Sequence, residues 1–299
     1  MPDTPASILE HPVWYEPLRS PSWLLPKVEP DAPLVVFVAA GAPDRETDAE
    51  RDLREGLPMY LAEAVRYSTV ARTGVATDAT VPDEAIAVEV DASATAALVA
   101  RLRGPRGEDL GTVTQAVDGN DVGRAIVALP GAIVAALRPA GVRSAWSTVF
   151  QPPADAHAAD AIRGYAVCRF LLDPTAHRDV AADSEETARR RAAVDAALRR
   201  LADLSGRVTS PSASMLFFAG LAGCHDHGDP AYLGYRLSAN GRCTTATDPR
   251  DPIFRISVLV FRLLGDPVIA GQRTRALASI DDVELRRWLA RIDGVRSLA

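Results

Sequence analysis

The sequence predicts an α+β protein, in which a small α/β domain with a mixed sheet is followed by an α-helical domain with internal repeats. Short apolar runs rich in β-branched residues are concentrated in the first half of the chain. After Gln151, Pro152 and Pro153 the strand patterns end, except for an ambiguous stretch at 254–264, and helical periodicity follows. A Gly-Asp-Pro triplet also occurs twice in this second half, at a spacing typical of helical repeats.

The composition is that of a folded protein, because 47% hydrophobic and 24% charged residues lie near the averages for globular domains. A net charge of −6 disfavours general binding to nucleic acid backbones, which attract dense Lys and Arg. Residues 1–20 lack the pattern of an export signal, and no apolar run approaches the ~20 residues that span a bilayer. We therefore expect no nucleic-acid partner and no membrane insertion.

The cysteines bear on the compartment of the protein. Cys168, Cys224 and Cys243 are widely spaced and odd in number. A disulfide framework needs paired cysteines in an oxidising compartment, so a reducing cytoplasm is the expected location.

Residues 1–33 form a proline-rich arm, with eight prolines that hold the backbone extended. Trp14, Tyr15 and Trp23 interrupt the prolines. Two interpretations remain open: the aromatic side chains pack on this protein's own surface, which we favour, or the arm is a docking peptide for another chain.

Residues 34–150 are predicted to form the α/β domain. The run at 34–40 indicates a buried strand, and an amphipathic helix follows in which Pro58 is either the first residue of the helix proper or a kink. Strands are predicted at 68–74 and 85–90, then a hairpin from 96–103 and 110–117. Asp121 can cap a second helix, which Pro130 interrupts. The order β-α-β-β-β-β-α requires a mixed sheet whose helices can cover one face.

Residues 155–299 are predicted to form the helical domain. Asp229, Asp251 and Asp266 each precede a proline, which places a capping acid before a first-turn proline. Gly206 and Gly241 stand where helix C-terminal stops are expected. The predicted helices are 161–172, 184–204, 213–224, 231–240, 253–264, 268–279 and 283–292.

The repeated triplet is Gly228-Asp229-Pro230, which recurs 37 residues later as Gly265-Asp266-Pro267. Phe217 and Phe254 stand at the same offset before each triplet, as do Leu221 and Val258. A period in the mid-thirties, made of helix, Gly-Asp turn and helix, resembles a degenerate tetratricopeptide array.

A pattern of small and apolar residues extends through both halves of the chain. In the first half it comprises Val35-Val36-Phe37, Glu55-Gly56-Leu57, Leu61, Val65, residues 70–73, 88–90, 98–102 and 107–110, and Asp121, and residues 162–165 and 170–172 follow as a first repeat helix. This pattern resembles the TolB-type amino-terminal domain, which precedes tetratricopeptide repeats in many bacterial signalling and regulatory proteins. The chain departs from that family at Pro58, where an ordinary helix residue is expected, and no cyclase or DNA-binding domain is recognised in the sequence. The resemblance implies a bacterial sensor or adaptor.

Cys224-His225-Asp226-His227 is the cluster densest in metal-ligand residue types. Four ligands in a row on a helix cannot all face one ion, and zinc sites usually draw pairs of ligands from separate segments. A helix end instead suits imidazoles that interact with the helix dipole. We therefore assign no metal ligand here, and a metal remains the minor alternative.

Other candidates are weaker. Gly41-Ala42-Pro43 follows a strand but lacks the spacing of a nucleotide loop. Arg189-Arg190-Arg191, Arg199-Arg200 and the acidic stretch at 44–55 favour solvated helix faces, although both charged faces could serve docking. His11, His157 and His177 stand alone, and no catalytic motif is recognisable. Catalytic residues can converge from distant positions, so an enzyme is disfavoured but not excluded.

The expected function is that of a non-catalytic interaction or regulatory scaffold, which needs no cofactor and binds a partner protein through a groove of the helical domain. The alternative is an enzyme or small-molecule sensor with a ligand cleft between the two domains. The sequence identifies no catalytic, cofactor-binding or metal-binding residue and leaves the binding residues unknown. It also leaves self-association open.

Overall fold

The structure is a computed structural model of the 299-residue chain. The chain divides into two compact units: an α/β unit of Met1–Pro12 and Pro26–Ala166, and a helical unit of Val13–Leu25 and Val167–Ala299. The predicted domain boundaries at 33, 150 and 155 remain predictions. The structure describes residues 8–29, 31–42, 45–77, 80–92, 96–118, 121–145, 147, 150–177, 185–208 and 210–298.

The α/β unit contains a six-stranded mixed sheet, with strand order β1-β3-β2-β4-β5-β6. Strand β2 runs parallel to β3 and β4, and the other pairs are antiparallel. The mixed sheet and the helices that follow it confirm the predicted α+β class. The edge strand β1 comes from the proline-rich arm, where no strand was predicted. The strands are β1 Ile8–Leu9, β2 Leu34–Ala39, β3 Arg72–Ala76, β4 Ile86–Asp91, β5 Ala97–Arg103 and β6 Asp109–Ala116.

Two helices pack on this sheet. Helix α1, Asp48–Ser68, contacts β2 and β3, and helix α2, Val122–Leu137, contacts β5 and β6. Asp121 accepts a hydrogen bond from the backbone N–H of Arg124 and caps α2, as predicted. Both helices continue through their internal prolines. A proline inside a helix costs about 3 kcal/mol, which the buried faces of these long helices offset.

The stretch Val122–Ala140, which includes α2, is long and apolar enough to cross a membrane by length and composition. The expectation that no apolar run approaches that length is therefore wrong. In this structure 44% of the stretch is buried, and core helices of soluble proteins pass the same test. The buried side chains face the sheet and α1 because α2 supplies apolar residues at helical spacing.

Helices follow the sheet, as predicted, and the helix Asp155–Leu172 is divided between the two units because the α/β unit extends to Ala166. The predicted helix 231–240 is instead a 3-10 turn at Pro230–Tyr235, followed by a helix that begins at Arg236. Asp229, Asp251 and Asp266 each accept a hydrogen bond from a backbone N–H in the first helical turn, which confirms their predicted role as caps. The helices are α3 Asp155–Leu172, α4 Glu185–Arg207, α5 Pro211–Asp226, α6 Arg236–Thr245, α7 Pro252–Leu263, α8 Pro267–Ala278 and α9 Val283–Ile292, with a 3-10 turn at Pro230–Tyr235 before α6.

The repeated triplets form two turns of the same construction. Gly228 and Gly265 have φ angles of 72° and 74°, a left-handed conformation that favours glycine. The backbone N–H of Asp229 donates to the carbonyl of Cys224 at 2.9 Å, and the corresponding bond from Asp266 spans 2.8 Å. These bonds define the Schellman turn. Gly241, in contrast, lies inside α6, so its assignment as a helix stop was wrong, whereas Gly206 lies one residue before the end of α4 at Arg207.

Helix α5 is the centre of the helical unit. Every residue from Ala213 to Cys224 is buried, so no side of that stretch is exposed to solvent. The helix contacts α4, α7 and the 3-10 turn that follows it. Because α5 is apolar around its whole circumference, its stability depends on neighbours on every side.

The segment Val13–Leu25 of the proline-rich arm belongs to the helical unit. Trp14 and Leu18 are buried, and the indole Nε1 of Trp288 donates a hydrogen bond to the Leu18 carbonyl at 2.9 Å. The ring of Trp23 packs edge-on against Trp288, with centroids 5.5 Å apart. The aromatic residues of the arm therefore pack within this protein, as the favoured interpretation predicted.

The two tryptophans provide a matched test of this packing. We expect Trp288→Phe to destabilise the protein by about 1–3 kcal/mol more than Trp23→Phe, because it leaves the buried Leu18 carbonyl without its donor. The Nε1 of Trp23 is buried without a hydrogen-bond partner, so its removal loses ring contacts alone. Urea unfolding followed by far-UV circular dichroism measures both changes, and equal destabilisation would contradict this account.

Candidate functional site

The residues of the cluster Cys224–His227 point to different partners. Cys224 is buried, and burial raises the pKa of its thiol to about 12. His225 Nε2 lies 2.7 Å from the carbonyl of Arg296. Arg296 belongs to the C-terminal tail, residues 293–298, which follows α9. His227 Nε2 lies 3.1 Å from the carbonyl of Leu172. The cluster thus connects the end of α5 to the tail and to the end of α3.

Asp226 in the same cluster binds the N-terminal segment. Its two carboxylate oxygens each accept a hydrogen bond of 2.6 Å from the guanidinium of Arg19. Burial alone would raise the pKa of Asp226, but the bonds from Arg19 and His225 lower it. Arg19 and Ser20 have positive φ angles, and Arg291 donates to the carbonyls of both residues. These contacts offset the strain of two left-handed residues that are not glycine.

His177 joins the cluster from the 3-10 turn after α3. Its Nδ1 lies 3.1 Å from the Asp229 carboxylate, its Nε2 lies 2.9 Å from the carbonyl of Leu171, and its ring stacks on that of His227. Both nitrogens face acceptors, so both donate only when the ring is a cation. Burial alone would lower the pKa of His177, but the bonds to Asp229 and Leu171 and the nearby carboxylates raise it.

The imidazole rings of His177 and His227 therefore form hydrogen bonds with backbone carbonyls at the end of α3. The carbonyls of Leu171 and Leu172 lie in the last turn of α3, where backbone acceptors lack partners within the helix. His177 and His227 supply the missing donors, and a cationic ring there is favoured by the helix dipole. In the described part of the chain, no three His, Cys, Asp or Glu side chains are grouped as metal ligands.

The arginine runs, the Gly41 loop and the isolated histidines were the other candidates from the sequence. Arg189, Arg190 and Arg199 form exposed ion pairs with acids one helical turn away, as expected of a solvated face. Gly41 and Ala42 precede a helix whose first N–H groups are already capped by Thr47 and Glu50, a carboxylate that would repel phosphate. Pro43 lies outside the described residues. His11 and His157 are half-buried residues of the α/β unit, whereas the cluster around His177 belongs to the helical unit.

Two arginines on different helices form a second candidate site, which the sequence analysis did not identify. Arg242 on α6 donates through Nε to the hydroxyl of Ser214 on α5 at 2.6 Å. Arg273 on α8 donates through Nη1 to the hydroxyl of Ser257 on α7 at 2.7 Å, and through Nη2 to the Cys243 carbonyl at 3.0 Å. We call Arg242 and Arg273 the arginine pair.

The arginine pair is half-buried in a weakly polar environment. The guanidinium of Arg273 lies 4.3 Å from the ring centroid of Phe254, a distance suited to a cation–π contact. Burial lowers the pKa of both arginines, and the Asp251 carboxylate and the Cys243 thiol partly oppose this shift. Among the described residues, no carboxylate lies within 4.0 Å of either guanidinium. Because residues 242 and 273 come from different helices, no local motif could have shown the pair.

The two units also differ in net charge. The helical unit contains 20 arginines and 17 acidic residues, a net charge of +3, whereas the α/β unit contains 13 basic and 22 acidic residues, a net charge of −9. The overall charge of −6 conceals this difference. A positive surface potential on the helical unit favours acidic ligands.

Comparisons with known proteins provide no relative: no family model, no curated protein and no solved structure matches this chain.

The site around His177 predicts a pH-dependent contribution to stability. A raised pKa in the folded state gives stabilisation that is complete below the unfolded pKa of about 6.5 and is lost as pH rises through the folded pKa. We therefore expect His177→Gln to destabilise the protein more at pH 5.5 than at pH 8.5, as measured by urea unfolding. In the Asp229→Asn background, which keeps an amide oxygen to cap the 3-10 turn, that pH dependence should shrink. An equal effect of His177→Gln at both pH values would refute the assignment.

Proposed function

We propose that this chain is a non-catalytic protein-interaction module whose helical unit binds a partner protein. The observation that carries the proposal is the position of the exposed apolar side chains. Among the described residues, all the large hydrophobic side chains that are exposed belong to the helical unit: Phe170, Leu237, Val268, Val283 and Leu298. Exposed apolar side chains that cluster on one part of a protein are typical of interaction surfaces.

Three of these side chains surround the Gly265 turn, and we call Leu237, Val268 and Leu298 the turn surface. Leu237 follows Arg236, whose guanidinium donates to the Leu264 carbonyl in that turn. Val268 follows Gly265 by three residues, in the first turn of α8.

Leu298 reaches the same turn from the C-terminal tail. Its backbone N–H donates to the hydroxyl of Tyr232, which in turn donates to the carbonyl of Leu263 at the end of α7. A Cβ on Gly265 would lie 3.5 Å from the Cβ of Ser297. The tail, the turn and the start of α6 are therefore neighbours.

The location of the turn surface refines the predicted groove. Because α5 is buried on all sides, it offers no residues to a partner, and the exposed apolar residues of the turn surface come from α6, α8 and the tail. The net charge of +3 on the helical unit favours an acidic partner over a basic one. The resemblance to tetratricopeptide arrays, which bind partner segments, supports the same class of function.

Site-specific photo-crosslinking tests the proposal. Benzoylphenylalanine at position 237, in cells of the native source, should give a reproducible covalent adduct with one partner protein. The same group at position 283 is the matched control, since Val283 is an exposed apolar residue of α9 away from the turn. No adduct at 237, or identical adducts at both positions, would contradict the proposal. Stabilisation by a metabolite without any adduct would support a sensor instead.

A further inference from the structure

We infer that Arg242 and Arg273 bind a carboxylate group supplied from outside the chain. Arg273 of α8 donates to the carbonyl of Cys243 in α6, and Arg242 directly precedes Cys243 in the chain. Each guanidinium is held by hydrogen bonds to neutral oxygen atoms. The inference rests on the proposed function only in naming the source of the carboxylate, which is an acidic residue of the partner.

The donors of the arginine pair are only partly used. Arg242 donates to the hydroxyl of Ser214 and, at 3.4 Å, to the carbonyl of Val208. Arg273 donates to Ser257 and Cys243. A guanidinium carries five N–H donors in a planar fork, so each arginine keeps three donors for a ligand. Both side chains remain partly exposed, which leaves them accessible.

The serine hydroxyls orient the guanidinium groups before a ligand arrives. Ser214 and Ser257 are fully buried, and each accepts a short hydrogen bond from one arginine. The ring of Phe254 further restricts Arg273 through a cation–π contact, with the guanidinium 4.3 Å from the ring centroid. Binding groups that are fixed in advance lose less conformational entropy when a ligand binds.

Two other half-buried arginines of the helical unit form ion pairs with carboxylates. Arg255 pairs with Asp282 at 3.5 Å, and Arg262 pairs with Asp293 at 2.9 Å. Charges removed from water are normally paired, because an unpaired charge in a weakly polar environment is costly. The arginine pair is similarly removed from water but has only neutral acceptors as hydrogen-bond partners.

The net charge around the arginine pair favours a ligand with a single negative charge. Arg242 and Arg273 contribute two positive charges, and Asp251, the cap of α7, contributes one negative charge within electrostatic range. The thiol of Cys243 is neutral because burial raises its pKa to about 12. One additional negative charge therefore balances the site, as a carboxylate does and a phosphate dianion does not. Arginine also binds carboxylates in a bidentate planar geometry.

The side-chain resonances of arginine report this binding directly. In protein with ¹⁵N-labelled arginine at pH 6.5, we expect the Nε–H signals of Arg242 and Arg273 to shift saturably on titration with sodium acetate. The carboxylate-paired Arg255 and Arg262 should not shift, and sodium chloride at matched ionic strength should have no effect. Arg242→Gln should weaken the acetate response of Arg273 at least tenfold, and the remaining arginine signals show that the variant is folded.

Three results would overturn the inference: a response that does not saturate, an equal response to chloride, or binding of sulfate, which is a dianion at this pH, more than tenfold tighter than acetate. The titration contains no partner protein, whereas the cross-linking at position 237 contains no acetate. Failure of the carboxylate site and failure of the proposed function are therefore distinguishable.

Discussion

The helical unit is built around α5, a helix that is buried on every side from Ala213 to Cys224. A helix that is buried on every side needs neighbours around its circumference, and its terminal backbone groups must also find partners away from water. The Schellman turn at Gly228 satisfies carbonyls at its end. Two side chains after this helix form hydrogen bonds with neighbouring segments. His227 contacts the carbonyl of the last residue of α3, and Asp226 accepts hydrogen bonds from Arg19 of the N-terminal segment. The cluster that resembled a metal site thus holds several chain ends around one buried helix.

The same constraint separates structural arginines from the arginine pair. Arg255 and Arg262 connect elements of the helical unit and have carboxylates that balance their charges. Arg242 and Arg273 also connect elements, but only neutral oxygens accept their hydrogen bonds. A structural link alone does not need an unbalanced positive charge, because a neutral donor could satisfy a serine hydroxyl without the desolvation cost. We propose that the pair adds cationic contacts for an acidic partner to the apolar contacts of the turn surface.

The sequence predicted features that depend on local chemistry. Each Asp-Pro pair marked a helix start because the acid caps the N–H groups of the first turn and proline needs no donor there. It did not predict the course of α6 through Gly241, because burial of Cys243 in the next turn outweighs the low helix propensity of glycine. It also missed the arginine pair, because the serines that orient Arg242 and Arg273 lie on other helices. The contacts of Val13–Leu25 depend in the same way on residues more than 200 positions away.

We propose that one partner contacts both the turn surface and the arginine pair, which share the helices α6 and α8. The most direct measurement is the yield of the partner adduct formed at position 237 in the Arg242→Gln/Arg273→Gln double variant, relative to the otherwise unchanged chain. If the partner's acidic residue binds the arginine pair, the yield should fall at least tenfold while the far-UV circular dichroism stays unchanged. An undiminished yield from the folded double variant would contradict the claim.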